Sequence, residues 1–144
     1  MIMTLEDIAE SIGMDFENKI REKILSNVPP ENAPSTIAAK GSSHTLIDTG
    51  ELLSSITHLV EQSPTGLTIT SGVLNEEIAK KAAPNEYGVI WENRPRKGTS
   101  EKEHGPWFIP PRSFIRSTYD ENIEEVLDNA QEQLYNYVFK KLSK

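Results

Sequence analysis

Two proline pairs limit what this chain can fold into. Pro29-Pro30 and Pro110-Pro111 each remove two backbone donors and pin two φ angles, so neither a helix interior nor a central strand can run through them. An upstream helix must end before the first pair, and a downstream helix can start only after the second. Residues 1–28 carry a helical pattern, with Leu5, Ile8, Ile12, Phe16, Ile20 and Ile24 near one stripe. Thr4 stands at the N-cap position, and Asp7, three residues on, completes a capping-box spacing. Residues 113–142 carry a second pattern: Phe114, Ile115, Ile123, Val126, Leu127, Ala130, Leu134, Tyr137, Val138 and Leu142 form an apolar stripe between charged residues. The closing "FKKLSK" puts cations where they complement the helix dipole.

Between the prolines, residues 29–112 read as a small sheet with helical insertions. "PSTIAAKG" has the length of one helical turn, with Gly41 available as a left-handed cap. "THLVEQ" and "GLTITSGV" read as strands joined by the turn "SPTG". Leu59 alternates with its neighbours in the first strand, and Leu67, Ile69 and Ser71 share one face of the second. "LNEEIAKKAAPNEYG" predicts a helix broken near Pro84, "VIW" a further strand, and residues 92–106 a long exposed loop. "WFIPPRSFI" reads as extended. The expected class is α+β: one domain over 1–144, with a small antiparallel β-sheet packed against an N-terminal helix and a long C-terminal amphipathic helix.

At 144 residues the chain is long enough to bury a core without staples, and with no cysteine it has no disulfides or thiolate metal sites. The opening "MIMTLEDIAESIG" turns acidic at once and does not read as a signal peptide, and no segment approaches the roughly 20 apolar residues that span a bilayer. These features predict a soluble protein of a reducing compartment. The formal charge of -7 disfavours sequence-independent binding to phosphate backbones. The basic run "RPRKG" at 94–98 is short and is followed by Glu101 and Glu103, so it reads as a solvated part of the loop.

One stretch has the look of chemistry. In "HTLIDTGELLSSI", residues 44–56, Asp-Thr-Gly follows two apolar residues, as at the catalytic carboxylate of aspartic peptidases. Such an acid needs a second carboxylate beside it, which a dimer would supply. The context favours another role. Glu51 follows the glycine, and Leu52, Leu53 and Ile56 have helical spacing, so Asp48, Thr49 and Gly50 read as the cap of a short helix. The histidines, His44, His58 and His104, have no partner at metal-ligand spacing and read as exposed or hydrogen-bonded. No serine lies in a nucleophile elbow and no glycine-rich loop leads to Lys-Ser/Thr. No catalytic residue, cofactor or metal ligand is assigned.

"GPWFIPPRSFI" offers another kind of candidate. Arg112 stands between an extended segment and a helix start, where its guanidinium can bond carboxylates or carbonyls. It reads first as an anchor for the last helix and second as a subunit contact. Trp107, Phe108, Pro110, Pro111 and Phe114 join it, with Arg94 and Arg96 of the loop, as candidate interface residues.

Taken in order, these pieces resemble the HK97 gp10-like tail-completion or neck proteins of tailed bacteriophages. That family shows an N-terminal helix, a "TG-x-L-x-x-S-I" motif, matched here by "TGELLSSI", and a strand pair. A "YA…HE-x-G" element follows, for which this chain has "IAKKAAPNEYG" with Ala79, Glu86 and Gly88 at matching places. A variable loop, "IP-x-RPF" (here "IPPRSFI", 109–115) and a long helix complete the order, so the resemblance spans roughly residues 5–140. This chain departs at Ile78, Asn85 and Ser113, where the family has tyrosine, histidine and proline. The resemblance implies a non-enzymatic virion protein assembled in the host cytoplasm. It would be one subunit of a homo-oligomeric ring at the neck, between connector and tail proteins, with DNA passing through without sequence-specific binding. A tail terminator or minor tail subunit is the nearest alternative, and a dimeric peptidase using Asp48 the more distant one.

Overall fold

A computed structural model describes residues 3–30, 50–91 and 107–142. Helix α1 (Leu5–Leu25) begins as its sequence predicts: the Thr4 hydroxyl accepts from the Asp7 N–H at 3.1 Å, and the Asp7 carboxylate accepts from the Thr4 N–H at 2.9 Å. It ends four residues before the first proline pair, where the Ser26 N–H still reaches the Glu22 carbonyl and Asn27 turns left-handed at φ 63°. Asparagine tolerates that conformation better than most residues.

A five-residue helix α2 (Glu51–Ser55) leads into a hairpin, β1 (Ile56–Ser63) and β2 (Gly66–Val73). The strands pair antiparallel from Ile56–Val73 to Ser63–Gly66, turning at Pro64 and Thr65. Helix α3 (Glu76–Tyr87) follows, capped by the Asn75 side chain. Strands β3 (Val89–Trp91) and β4 (Trp107–Ile109) then form a short ribbon before α4 (Arg116–Leu142). The class is α+β, with long helices at both ends of the order and two antiparallel strand pairs between them.

Helix α1 is the hub: the β1–β2 hairpin packs on one side of it and α4 on another. Lys23 pairs with Glu121 at 2.9 Å and Lys19 with Glu125 at 3.7 Å, so a step down α1 is an equal step up α4 and the two run antiparallel. Phe16 stacks on Tyr119 at 5.9 Å in the same seam. The core gathers at the C-terminal end of α1, where Ile20, Ile24, Val28, Ile56, Ala82 and Phe114 are buried and Leu52, Leu53, Val73 and Ile115 lie against them.

Three expectations change. Helix α3 is not broken at Pro84, which lies inside it. The proline costs one backbone bond near the helix end, and burial of Ala82 and Glu86, two residues to either side, holds the turn in place. The C-terminal helix starts at Arg116 rather than 113, since Ser113–Ile115 form the turn that enters it. Its apolar stripe is also not uniformly buried: Val126 is, but Leu127, Leu134, Val138 and Leu142 are 41–80 % exposed. A single partner helix covers only a narrow face, and the hairpin rests on α1 instead of filling the other side. The predicted turn at 34–41 and the loop at 92–106 lie outside the described residues.

Candidate functional site

The most concentrated polar site is the junction of α3 with the entry to α4. An N-terminal helix turn leaves its N–H groups without intrahelical partners. Here Glu86, from the last turn of α3 and only 7 % exposed, supplies them. Its Oε2 accepts from the N–H groups of Phe114 (2.8 Å) and Ile115 (3.0 Å), and its Oε1 from the Arg116 N–H and the Ser113 hydroxyl (both 2.9 Å). Burial alone would push the Glu86 carboxyl up, but the three backbone N–H groups and the Ser113 hydroxyl outweigh it and hold it below the usual glutamate range. The carboxylate also lies at the positive end of the α4 dipole. Ser113 relays the cap onward, its hydroxyl accepting from the Ser117 N–H at 3.1 Å.

Arg112 closes the junction from the other side. Its backbone N–H donates to the Asn85 carbonyl at 2.5 Å and its Nε to the Pro30 carbonyl at 2.6 Å, across 82 residues of chain. The two proline pairs are thereby tied together. Arg112 and Phe114, candidates for a subunit contact, are 6 % and 0 % exposed, which leaves them no surface for a neighbour. They are interior anchors: the guanidinium is buried where it bonds the Pro30 carbonyl, and the phenyl ring fills the core.

The remaining candidates separate clearly. Phe108 is 64 % exposed, Pro111 is exposed and Pro110 is half-buried, while Trp107 is placed as the first residue of β4. Phe108 pairs across the ribbon with Ile90, itself 63 % exposed, and Tyr87 nearby in sequence is 75 % exposed. Sequence reasoning missed Ile90 and Tyr87; the signal was the pairing of "VIW" with "WFI". Gly50 is the N-cap of α2 at φ 81°, with no side chain to offer, while its carbonyl accepts from the Ser54 N–H at 3.0 Å. Asp48, Thr49, Arg94, Arg96, His44 and His104 lie outside the described residues, and with Asp48 the peptidase alternative.

A second polar cluster joins α1 to the hairpin. His58 of β1 sets Nδ1 2.5 Å from a Glu17 oxygen and Nε2 2.6 Å from a Glu10 oxygen. Arg21 bonds the other Glu17 oxygen and donates to the Ile56 carbonyl at 2.6 Å. Hydrogen bonds to Glu17 and then Glu10 raise the His58 pKa above its ordinary value. Burial pushes the Glu17 carboxyl up, and the His58 bond and the Arg21 charge overcome that and hold it low. The sequence signal was Glu10, Gly13 and Glu17 on one face of α1, a polar line with a glycine where an apolar contact is expected.

Comparison with models of protein families, with curated proteins and with solved structures found no match. Among the described residues, no helix is long and apolar enough to cross a membrane.

Proposed function

We propose that this chain is a structural virion protein of a tailed bacteriophage, a subunit of the neck or tail-completion ring that joins head to tail, acting by assembly and not by catalysis. One observation carries the reading. Two of the segments that carry the family resemblance, Glu86-Tyr87-Gly88 and Ile109–Ile115, meet in space, and Glu86 binds the backbone of the second segment through three N–H groups. Residues that recur as separate motifs are expected to meet in this way when they specify a shared joint.

The ribbon β3–β4 fits the role of the contact element. It rises directly from that joint, rigidly held by Glu86 and Arg112, and presents Ile90 and Phe108 to solvent as a cross-strand pair. Exposed aromatic and aliphatic side chains on a rigid base are suited to burial against the next subunit of a ring. The net charge of -7 suits a passage through which DNA moves without being held.

Electron microscopy of lysates from a phage carrying a stop codon at Glu51 tests the proposal. DNA-filled heads beside separate tails are expected. Infectious particles of normal form would overturn it.

A further inference from the structure

His58 and Ser71 fasten the hairpin to α1 partway along its length. At its base the hairpin joins the core, where Ile56 is 1 % exposed. Farther out, the inward side chains Val60, Leu67 and Ile69 are only partly covered. Between these regions sits one cross-strand pair, His58 and Ser71, and both residues bond α1. Ser71 donates to the Gly13 carbonyl at 3.1 Å, and His58 lies over Gly13 so closely that a Cβ there would be 2.6 Å from its ring. A glycine inside a helix costs about 1 kcal/mol relative to alanine, and here it makes the notch that admits the ring.

We propose that His58 is a pH-operated latch between α1 and the β1–β2 hairpin, closed while the imidazole is protonated and released when it loses that proton. Both ring nitrogens face carboxylate oxygens at 2.5 and 2.6 Å, and an ionised carboxylate only accepts hydrogen bonds. Both nitrogens must therefore donate, which only the imidazolium can do. A neutral ring would set a lone pair against Glu10 or Glu17, so one of the two bonds would be lost.

The charged groups facing the ring are Glu10 and Glu17 of α1, with Arg21 behind Glu17. On the hairpin, its neighbours on that face are the uncharged Ile56, Val60 and Ser71. The direction of the switch follows from the elevated pKa of His58. Its contribution is complete below the unfolded value of about 6.5 and is lost as pH rises through the higher folded value. Glu17, held low, sets the opposite limit: its contribution is present above about 4.5 and lost as pH falls through its folded pKa.

The test is an NMR titration of the His58 ring in the full chain, assigned by the signal missing from His58→Gln, together with amide exchange corrected for its intrinsic pH dependence. His58 is expected to titrate above 6.5. Protection of residues 56–73 relative to α1 should then fall about tenfold for each pH unit separating the folded from the unfolded pKa. In Glu10→Gln, which leaves Glu17 and the core untouched, the titration should move toward 6.5 and the loss of protection should move with it. A His58 pKa at or below 6.5, or hairpin protection unchanged through the titration, overturns the proposal.

Discussion

Four donors converge on the Glu86 carboxylate, and glutamine cannot satisfy them all. In Glu86→Gln one carbonyl oxygen remains an acceptor, while the amide NH2 faces either the Phe114 and Ile115 N–H groups or the Arg116 N–H and Ser113 hydroxyl. Leaving buried donors unpaired costs about 1–3 kcal/mol, so urea denaturation at neutral pH should show a loss of that order. The depressed pKa fixes the sign of its pH dependence. The wild-type advantage is complete above the unfolded value and shrinks as pH falls through the folded one, so the two proteins should converge in acid. The place of this residue was legible, because the resemblance marks Glu86 as one of its motif positions. Its role was not, because the N–H groups it binds lie 28–30 residues away and become neighbours only when α3 docks. The reverse holds for Arg112: the sequence marks it as an anchor by its position between prolines and a helix, but the Pro30 carbonyl it serves is invisible until the two proline pairs meet.

Among elements, the ribbon β3–β4 and the helix α4 expose apolar surface for different reasons. The ribbon has three residues per strand and no third strand among the described residues, so its outward pair, Ile90 and Phe108, stays in solvent. Replacing both with serine touches no buried side chain and is expected to leave the unfolding free energy from urea denaturation within about 0.5 kcal/mol of wild type. On the proposed function, the same variant should fail to form the ring in native mass spectrometry or microscopy of assembled particles. Retention of the ring would remove the ribbon from the contact surface. Helix α4 teaches a different lesson about legibility. Its periodicity was plain, but periodicity marks a stripe and not the width of the partner, so Leu127, Leu134, Val138 and Leu142 read as core and are exposed. Helix α1 met its prediction more closely, since its cap and its stops are all local: Thr4 and Asp7 three residues apart, and Pro29-Pro30 beyond its end.

For the whole molecule, three shifted groups among the described residues, Glu17, His58 and Glu86, bound a window of stability. Glu17 and Glu86 are held low, so their contributions fall away as pH drops below about 4.5, while the contribution of His58 falls away above about 6.5. Thermal denaturation across pH should give a maximum between those limits, and in His58→Gln the alkaline flank should flatten, with part of the acid flank lost too because His58 helps hold Glu17 low. What the sequence determined by itself was every feature that depends on near neighbours along the chain. These are the capping box of α1, the helical and alternating periodicities, the turn at Pro64 and Thr65, and the limits set by two proline pairs, from which the α+β class follows. What only the tertiary structure decided was which polar groups meet. Glu86 capping α4, Arg112 reaching Pro30, and His58 held between Glu10 and Glu17 over Gly13 each join residues 28 to 82 positions apart. Periodicity specifies which face of an element is buried, whereas the pairing of charges across elements depends on the distance and angle at which those faces dock, and no local pattern encodes either.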